Sequence, residues 1–220
     1  DQGQPDRWPA TASKPAEQVI GDYNFVYAIR AVATLYALFL SEVDQVAPET
    51  SLSLSGSQGN EGWYKSDIGV SLSAMDDAGG LGVQAITYSA TGAQPIASTA
   101  VSGDLASFTL TAEGTTQLAY AARDYAGNVE ASKTATVKID KTAPTVAVDT
   151  PQPAAALPSG TALSFTAADG VSGLATVAAR LDNGTSTVDV TSGYQPGPGV
   201  YSLTVTATDI AGNEATARRD

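Results

Sequence analysis

The sequence predicts a mainly β protein in which two tandem antiparallel β-sandwiches follow one hydrophobic α-helix. Residues 19–43 are apolar on nearly every helical face. From Val46 onward, short alternating strands are separated by Gly, Pro, Asn and Asp turns, and three sequence blocks occur twice. The predicted division is an extended leader over residues 1–18, a hydrophobic helix over 19–44, a first β domain over 45–141 and a second over 142–220.

The helix is predicted directly after the leader, whose Pro, Gln, Ala and Ser content is typical of extended linkers. A 4-3-4-3-4 spacing places one set of residues along a single helical seam. This seam consists of Phe25, Ile29, Val32, Tyr36, Phe39 and Val43. The opposite side is also apolar, because Asn24 precedes the run between Phe25 and Leu40 and only Arg30 and Thr34 interrupt it. Such a helix is typically buried, so we expect it to need a partner.

A membrane span is a weaker interpretation of the same segment. The apolar stretch covers only residues 25–40 and contains Arg30. A bilayer span needs about 20 apolar residues and disfavours a central charge. We therefore expect the helix to be buried against protein, and a membrane-anchored adhesin remains the alternative.

The β region consists of two copies of one unit. Segment 46–54 matches 142–150, segment 74–81 matches 167–174, and segment 122–131 matches 207–216. The separation between matched positions falls from 96 residues at Pro48 and Pro144 to 85 residues at Asp124 and Asp209. The second copy is therefore a shortened version of the first.

The end of the second copy suggests a missing strand segment. Twelve residues follow Asn128 up to Asp140, but only seven follow Asn213 up to Asp220. We therefore expect the closing strand of the second domain to be truncated by about five residues, which would expose a neighbouring strand. Either a strand donated by the leader of another molecule, or further residues of the chain itself, would complete that edge.

These repeated blocks resemble the bacterial immunoglobulin-like and hyalin-repeat-like domains of secreted and cell-surface proteins. The resemblance rests on the opening A-P-x-T, the stretch SGSQGNEGWYKSDIGVSLSA at residues 55–74, the D-x-x-G-L turn and the D-x-A-G-N element. It covers residues 46–220 and implies two tandem immunoglobulin-like sandwiches in an extracellular or cell-surface protein. Such domains serve as spacers, adhesive modules, filament subunits and accessory regions of hydrolases, so the resemblance does not select a function.

Composition excludes several kinds of chemistry. The chain has no Cys and no His, which removes the usual zinc sites, the Ser-His-Asp triad and Cys nucleophiles. Its formal net charge of −12 would repel phosphate backbones, so nucleic acid is not an expected partner. We expect no enzymatic activity, and calcium is the cation that suits such an acidic chain.

The D-x-A-G-N element has two interpretations. A hairpin turn would use Gly for its positive φ and the Asp side chain to cap turn amides. Alternatively, carboxylate and amide oxygens at short spacing suit a weak calcium site. That set would be Asp124, Asn128, Asp209 and Asn213, although neither copy has the dense spacing of an EF-hand loop. We favour the turn.

Two further groups of residues attract attention. Paired carboxylates at Asp76 and Asp77 could act as acid and base on a glycoside. Because Asp169 recurs at the same place in the second copy, a turn role is favoured. Trp63 and Tyr64 have no counterpart in the second copy, and they are interpreted as core or rim residues, with sugar or protein contact as the alternative.

The predicted function follows from the helix. Two sandwiches in series cannot hide a helix that is apolar all round. We expect a non-enzymatic extracellular structural protein, the subunit of a filament or surface assembly, that forms homo-oligomers through the helix and displays its β domains to protein or glycan ligands. The alternative is a C-terminal accessory region of a larger secreted hydrolase. No cofactor is expected apart from weakly bound calcium.

Overall fold

The structure, a computed structural model, describes residues 16–152 and 157–220, and it describes side chains of the helix at residues 25–36, 38 and 39. Helix α1 spans Ala16–Val43. It begins three residues before the position indicated by the sequence pattern, so the last residues assigned to the leader belong to its first turn. Residues 1–15 of the leader lie outside the described residues.

The first β domain is a sandwich of two sheets. Its strands are β1 Glu49–Ser55, β2 Trp63–Tyr64, β3 Ile68–Met75, β4 Val83–Gly92, β5 Ile96–Ser102, β6 Leu105–Leu110, β7 Gly114–Asp124 and β8 Lys133–Ile139. One sheet has the order β1-β3-β6 and the other β2-β8-β7-β4-β5. All pairs are antiparallel except β2 with β8, which is parallel.

The second β domain repeats this plan with fewer strands. Its strands are β9 Thr145–Thr150, β10 Ser164–Ala168, β11 Leu174–Asp182, β12 Thr187–Val190, β13 Ser202–Asp209 and β14 Glu214–Arg219. The sheets have the orders β9-β10 and β12-β11-β13-β14. Among the described residues, no strand of this domain corresponds to β2 or β6, which explains why the second copy is shorter.

Alternation along the strands builds a separate core in each domain. In β3, Ile68, Val70 and Leu72 point inward and are buried, while the residues between them face outward. In β13, Leu203 and Val205 play the same part. Because each core is filled by its own strands, the fold is mainly β with two tandem immunoglobulin-like sandwiches preceded by a helix, as the sequence predicted.

The closing strand of the second domain is not truncated in the way that the sequence suggested. Strand β14 has 6 residues against 7 in β8. It starts directly after Asn213, whereas residues 129–132 separate Asn128 from β8. Four of the five missing residues are therefore lost from this connection. Strand β14 pairs with β13 from Leu203 to Thr208, so the edge proposed to accept a donated strand is already covered.

Candidate functional site

The side chains of helix α1 that the structure describes are exposed. The apolar seam residues Phe25, Ile29, Val32, Tyr36 and Phe39 keep 53% to 68% of their surface accessible. The side chain of Val43, the last predicted member, lies outside the described set. Apolar residues of the opposite side, such as Val26 and Leu35, are exposed as well. Within the described part of the chain, no helix is long and apolar enough to cross a membrane.

Immediately after the helix, a linker segment at residues 44–48 is held by the D-x-A-G-N turn of the first domain. The buried Asp124 carboxylate accepts hydrogen bonds from the Gly127 and Asn128 amides at 2.6 and 2.8 Å. The Asn128 side-chain nitrogen donates to Asp124 Oδ2 at 2.7 Å and to the Asp44 carbonyl at 3.1 Å. Gly127 has φ near +100°, as such a turn requires. The turn therefore fastens the linker segment to the end of β7.

The second linker segment, residues 140–144, is held in the same way. Asp209 is fully buried and accepts the Asn213 amide at 2.8 Å. The Asn213 side-chain nitrogen donates to Asp209 Oδ2 at 2.9 Å and to the Asp140 carbonyl at 3.1 Å. We call each of these arrangements a linker clasp. The difference is that Asp140 follows a β-strand, whereas Asp44 follows helix α1.

The clasps bear on the predicted weak calcium set. In both, the asparagine presents its amide nitrogen to the surrounding oxygens, and a nitrogen donor is not a ligand for a hard cation. The carboxylate oxygens of Asp124 and Asp209 already accept hydrogen bonds from the turn amides. This geometry is the capping expected from the turn interpretation. The weak calcium assignment of Asp124, Asn128, Asp209 and Asn213 stays a prediction.

Two clusters of carboxylates include residues outside the predicted calcium set. Asp44, Asp76 and Asp77 form one group, and Asp140, Asp169 and Asp209 form another, each with carboxylate oxygens within 4.8 Å of one another. Carboxylates at this spacing could hold a hard cation. Sequence reasoning missed Asp44 and Asp140, although a signal existed, because both precede the repeated A-P dipeptide by three residues.

Main-chain amides already donate hydrogen bonds to these carboxylates. Asp44 accepts the Val46 and Leu81 amides at 3.1 and 3.0 Å. Asp76 accepts the Gly82 amide at 2.7 Å, and Asp169 accepts the Gly173 amide at 2.6 Å. Asp76 and Asp169 therefore shape equivalent turns, which is the role the repeat favoured over acid and base catalysis.

Trp63 and Tyr64 are structural in the described fold. They form β2 and pair with Lys138 and Ile139 of β8. The Lys138 ammonium lies 5.6 Å from the centre of the Trp63 ring, a cation–π distance. Both rings are half-buried. Their strand position places them beside the junction between the two domains.

The loop before β2 contacts the second domain. The Asn60 amide donates to the Ala211 carbonyl at 3.0 Å, and the Lys65 ammonium lies 3.3 Å from the Gly212 carbonyl. A Cβ on Gly59 would lie 2.2 Å from the Ala211 carbonyl oxygen, so only glycine fits there. The turn of the second clasp, whose geometry repeats that of the first, is thus also the docking point for the first domain.

The linker residue Lys141 attaches the start of the linker to the first domain next to this junction. Its ammonium contacts Asp67 and the Thr111 carbonyl, both at 2.8 Å, and its amide donates to Glu113 at 2.6 Å. All three partners belong to the first domain. The junction therefore joins the two sandwiches through both the linker and the loop at residues 56–67.

Comparison with known proteins gives no assignment beyond the fold that the strands themselves show. No family model and no curated protein matches the chain. Among solved structures, it is similar to the fibronectin(III)-like modules of Clostridium thermocellum CbhA, at 18% identity and a TM-score of 0.34, over 77% of this chain and 92% of that one. By its own strand pairing, the chain is a mainly β protein of sandwich modules with an N-terminal helix.

Proposed function

We propose that this protein is a non-enzymatic extracellular structural protein, the subunit of a filament or surface assembly in which helix α1 is buried against other copies and the β domains are displayed. The exposure of the helix carries the proposal. Burying one large apolar side chain contributes about 1.5–3 kcal/mol, and the described part of the helix exposes many of them. Association that covers this surface is strongly favoured.

The distribution of apolar residues argues for several neighbours around each helix. Seam residues such as Ile29 and Val32 and off-seam residues such as Val26 and Leu35 are all exposed. A two-stranded coiled coil would cover only one seam. Covering the whole circumference requires neighbouring helices on every side, as in the core of a multi-helix assembly, and this would place the β domains on the outside.

The junction supports display by a stiff pair of domains. Hydrogen bonds from Asn60 and Lys65 connect the two sandwiches directly, and Lys141 fixes the start of the linker to the first domain. An interface with several anchor points restricts relative domain motion. Such a pair suits a surface array better than a flexible tether would.

A second candidate is an accessory region of a larger secreted hydrolase, in which the helix ends a preceding domain. One observation favours it, because the Asp140 clasp follows a folded domain and the Asp44 clasp repeats its geometry. Intact mass of the natural protein separates the candidates. A much larger precursor with an N-terminal catalytic domain would support the accessory role.

The assembly proposal is tested by sedimentation velocity of the full chain. Wild type should self-associate, and Val32→Glu or Phe39→Glu should weaken association at least tenfold, because a carboxylate in an apolar interface is costly. Ser53→Glu, on the outer face of β1, is the matched control and should leave association unchanged. A wild-type chain that stays monomeric at high concentration would refute the proposal.

A further inference from the structure

The internal junction shows how one sandwich of this type receives another. We call the end of a domain that carries its linker segment the proximal pole, and the opposite end the distal pole. The distal pole of the first domain, with Asn60 and Lys65, donates to the Ala211 and Gly212 carbonyls at the proximal pole of the second. Ala211 is fully buried as a result.

The proximal pole of the first domain has the same groups without the cover. Its clasp turn, residues 125–128, matches residues 210–213. Among the described residues, no donor contacts the carbonyls of Ala126 and Gly127. Ala126 is only half-buried, and the neighbouring Tyr125 is 57% exposed. This pole therefore presents a protruding aromatic side chain and two free acceptors.

The distal pole of the second domain has complementary features. An open cavity of about 530 Å³ is lined by parts of residues 157–163 and 196–201 and by the end of β14. Its apolar lining includes Leu157, Pro196, Pro198 and Tyr201. Val200 at its rim is 89% exposed. The Nε of Arg219, which also lines the cavity, is buried and has no acceptor within the described chain.

We infer that the distal pole of the second domain docks on the proximal pole of the first domain of a second copy. The turn at residues 125–128 then enters the cavity, where Tyr125 meets the proline-rich wall and Arg219 donates to the turn carbonyls. This inference rests on the proposed assembly of copies. A heterologous contact of this kind repeats head to tail and extends a filament.

The partner is a second copy because each chain carries both the turn at residues 125–128 and the cavity, but these two surfaces cannot meet within one chain. The junction holds the second domain at the distal pole of the first domain, the end opposite to residues 125–128. An apolar rim with one unsatisfied donor faces an apolar turn with free acceptors. Burial of an unpaired donor is costly, so docking that supplies an acceptor is favoured.

Cysteine cross-linking tests the contact, since the chain contains no cysteine. The full-length double variant Tyr125→Cys with Val200→Cys is oxidised and examined on non-reducing gels. Because disulfides form only when the Cα atoms approach within about 7 Å, the double variant should give a ladder of dimers, trimers and higher species. Each single variant should stop at dimers.

The matched control pairs Tyr125→Cys with Ser53→Cys, at an exposed position in the middle of β1 away from both poles. Circular dichroism verifies that each variant keeps its strands. A ladder no stronger than the control, from a protein that still self-associates in sedimentation, overturns the head-to-tail contact and leaves the helix assembly standing. A wild type that stays monomeric at high concentration refutes the helix assembly and the pole contact together, since either contact would associate copies.

Discussion

Glu130 ties the two sheets of the first domain together through Thr50. Its carboxylate accepts hydrogen bonds from both the amide and the hydroxyl of Thr50 in β1. It also accepts the Ala122 amide of β7 at 3.1 Å and pairs with Lys133 at 2.8 Å. Lys133 in turn donates to the Thr50 carbonyl. The exposed edge of β1 is thereby capped by an ion pair from the opposite sheet.

Removing this carboxylate should destabilise the first domain. Glu130→Ala leaves the amides of Thr50 and Ala122 without an acceptor, and each unsatisfied buried group costs about 1–3 kcal/mol. We expect a loss on the order of 2 kcal/mol in the free energy of unfolding, measured by urea denaturation. Glu49→Ala is the control, because Glu49 contacts the same lysine but its side chain is 87% exposed. An equal loss in both variants would contradict the role of Glu130.

Stability should depend on the ionisation of Glu130. Burial alone would raise the pKa of its carboxyl group, but hydrogen bonds from Lys133, Thr50 and Ala122 outweigh it and lower the pKa below the ordinary value. A lowered pKa contributes stability above the pKa of the unfolded chain, and this contribution is lost as pH falls through the folded value. The stability difference between wild type and Glu130→Gln should therefore be constant near pH 7 and shrink below about pH 4.3. A difference that stays constant down to pH 2 would show that the charge is irrelevant.

The clasp aspartates should be needed for stability. Asp209→Ala removes a fully buried acceptor of two Asn213 hydrogen bonds, and we expect a loss of about 2–3 kcal/mol. Asp182→Ala also removes a turn-capping bond, to Gly184, but at an exposed site, so its cost should be below about 1 kcal/mol. Thermal melts followed by circular dichroism compare the two. Similar melting temperatures would show that the clasp is dispensable.

The junction should open when Gly59 is enlarged. Gly59→Ala places a methyl group 2.2 Å from the Ala211 carbonyl oxygen, which the backbone must relieve by moving apart. The Asn60 amide should then lose its acceptor and exchange with solvent deuterium at least tenfold faster. Gly170→Ala, where a Cβ meets no atom within 4 Å, should leave this exchange unchanged. Unchanged protection of Asn60 in Gly59→Ala would mean that the contact does not form in solution.

Calcium should have only a small effect on the melting temperature. The carboxylates of Asp44, Asp140 and Asp209 already accept main-chain amides, so chelation should change the melting temperature little. Differential scanning fluorimetry with a chelator and with millimolar calcium measures this. A ligand present at 1,000 times its dissociation constant stabilises by about 4 kcal/mol. Stabilisation of that size would reassign the two acidic groups as structural metal sites.

The sequence by itself determined the elements and their repetition. Period-two alternation in segments such as residues 68–75 and 202–209 is a local property, so it predicted that the region after Val46 forms short strands. The D-x-A-G-N turn was also local, since Asp124 and Asn128 are four residues apart. The apolar helix was visible for the same reason.

Only the tertiary structure decided which distant residues meet. Asp44 lies 84 residues from Asn128, and Glu130 lies 80 from Thr50, so no periodicity connects them. The five-residue deficit after Asn213 illustrates the limit, because chain length alone does not tell whether a connection or a strand has shortened. Strand pairing settles this, since β14 must satisfy the backbone of β13, and a connection has no such obligation.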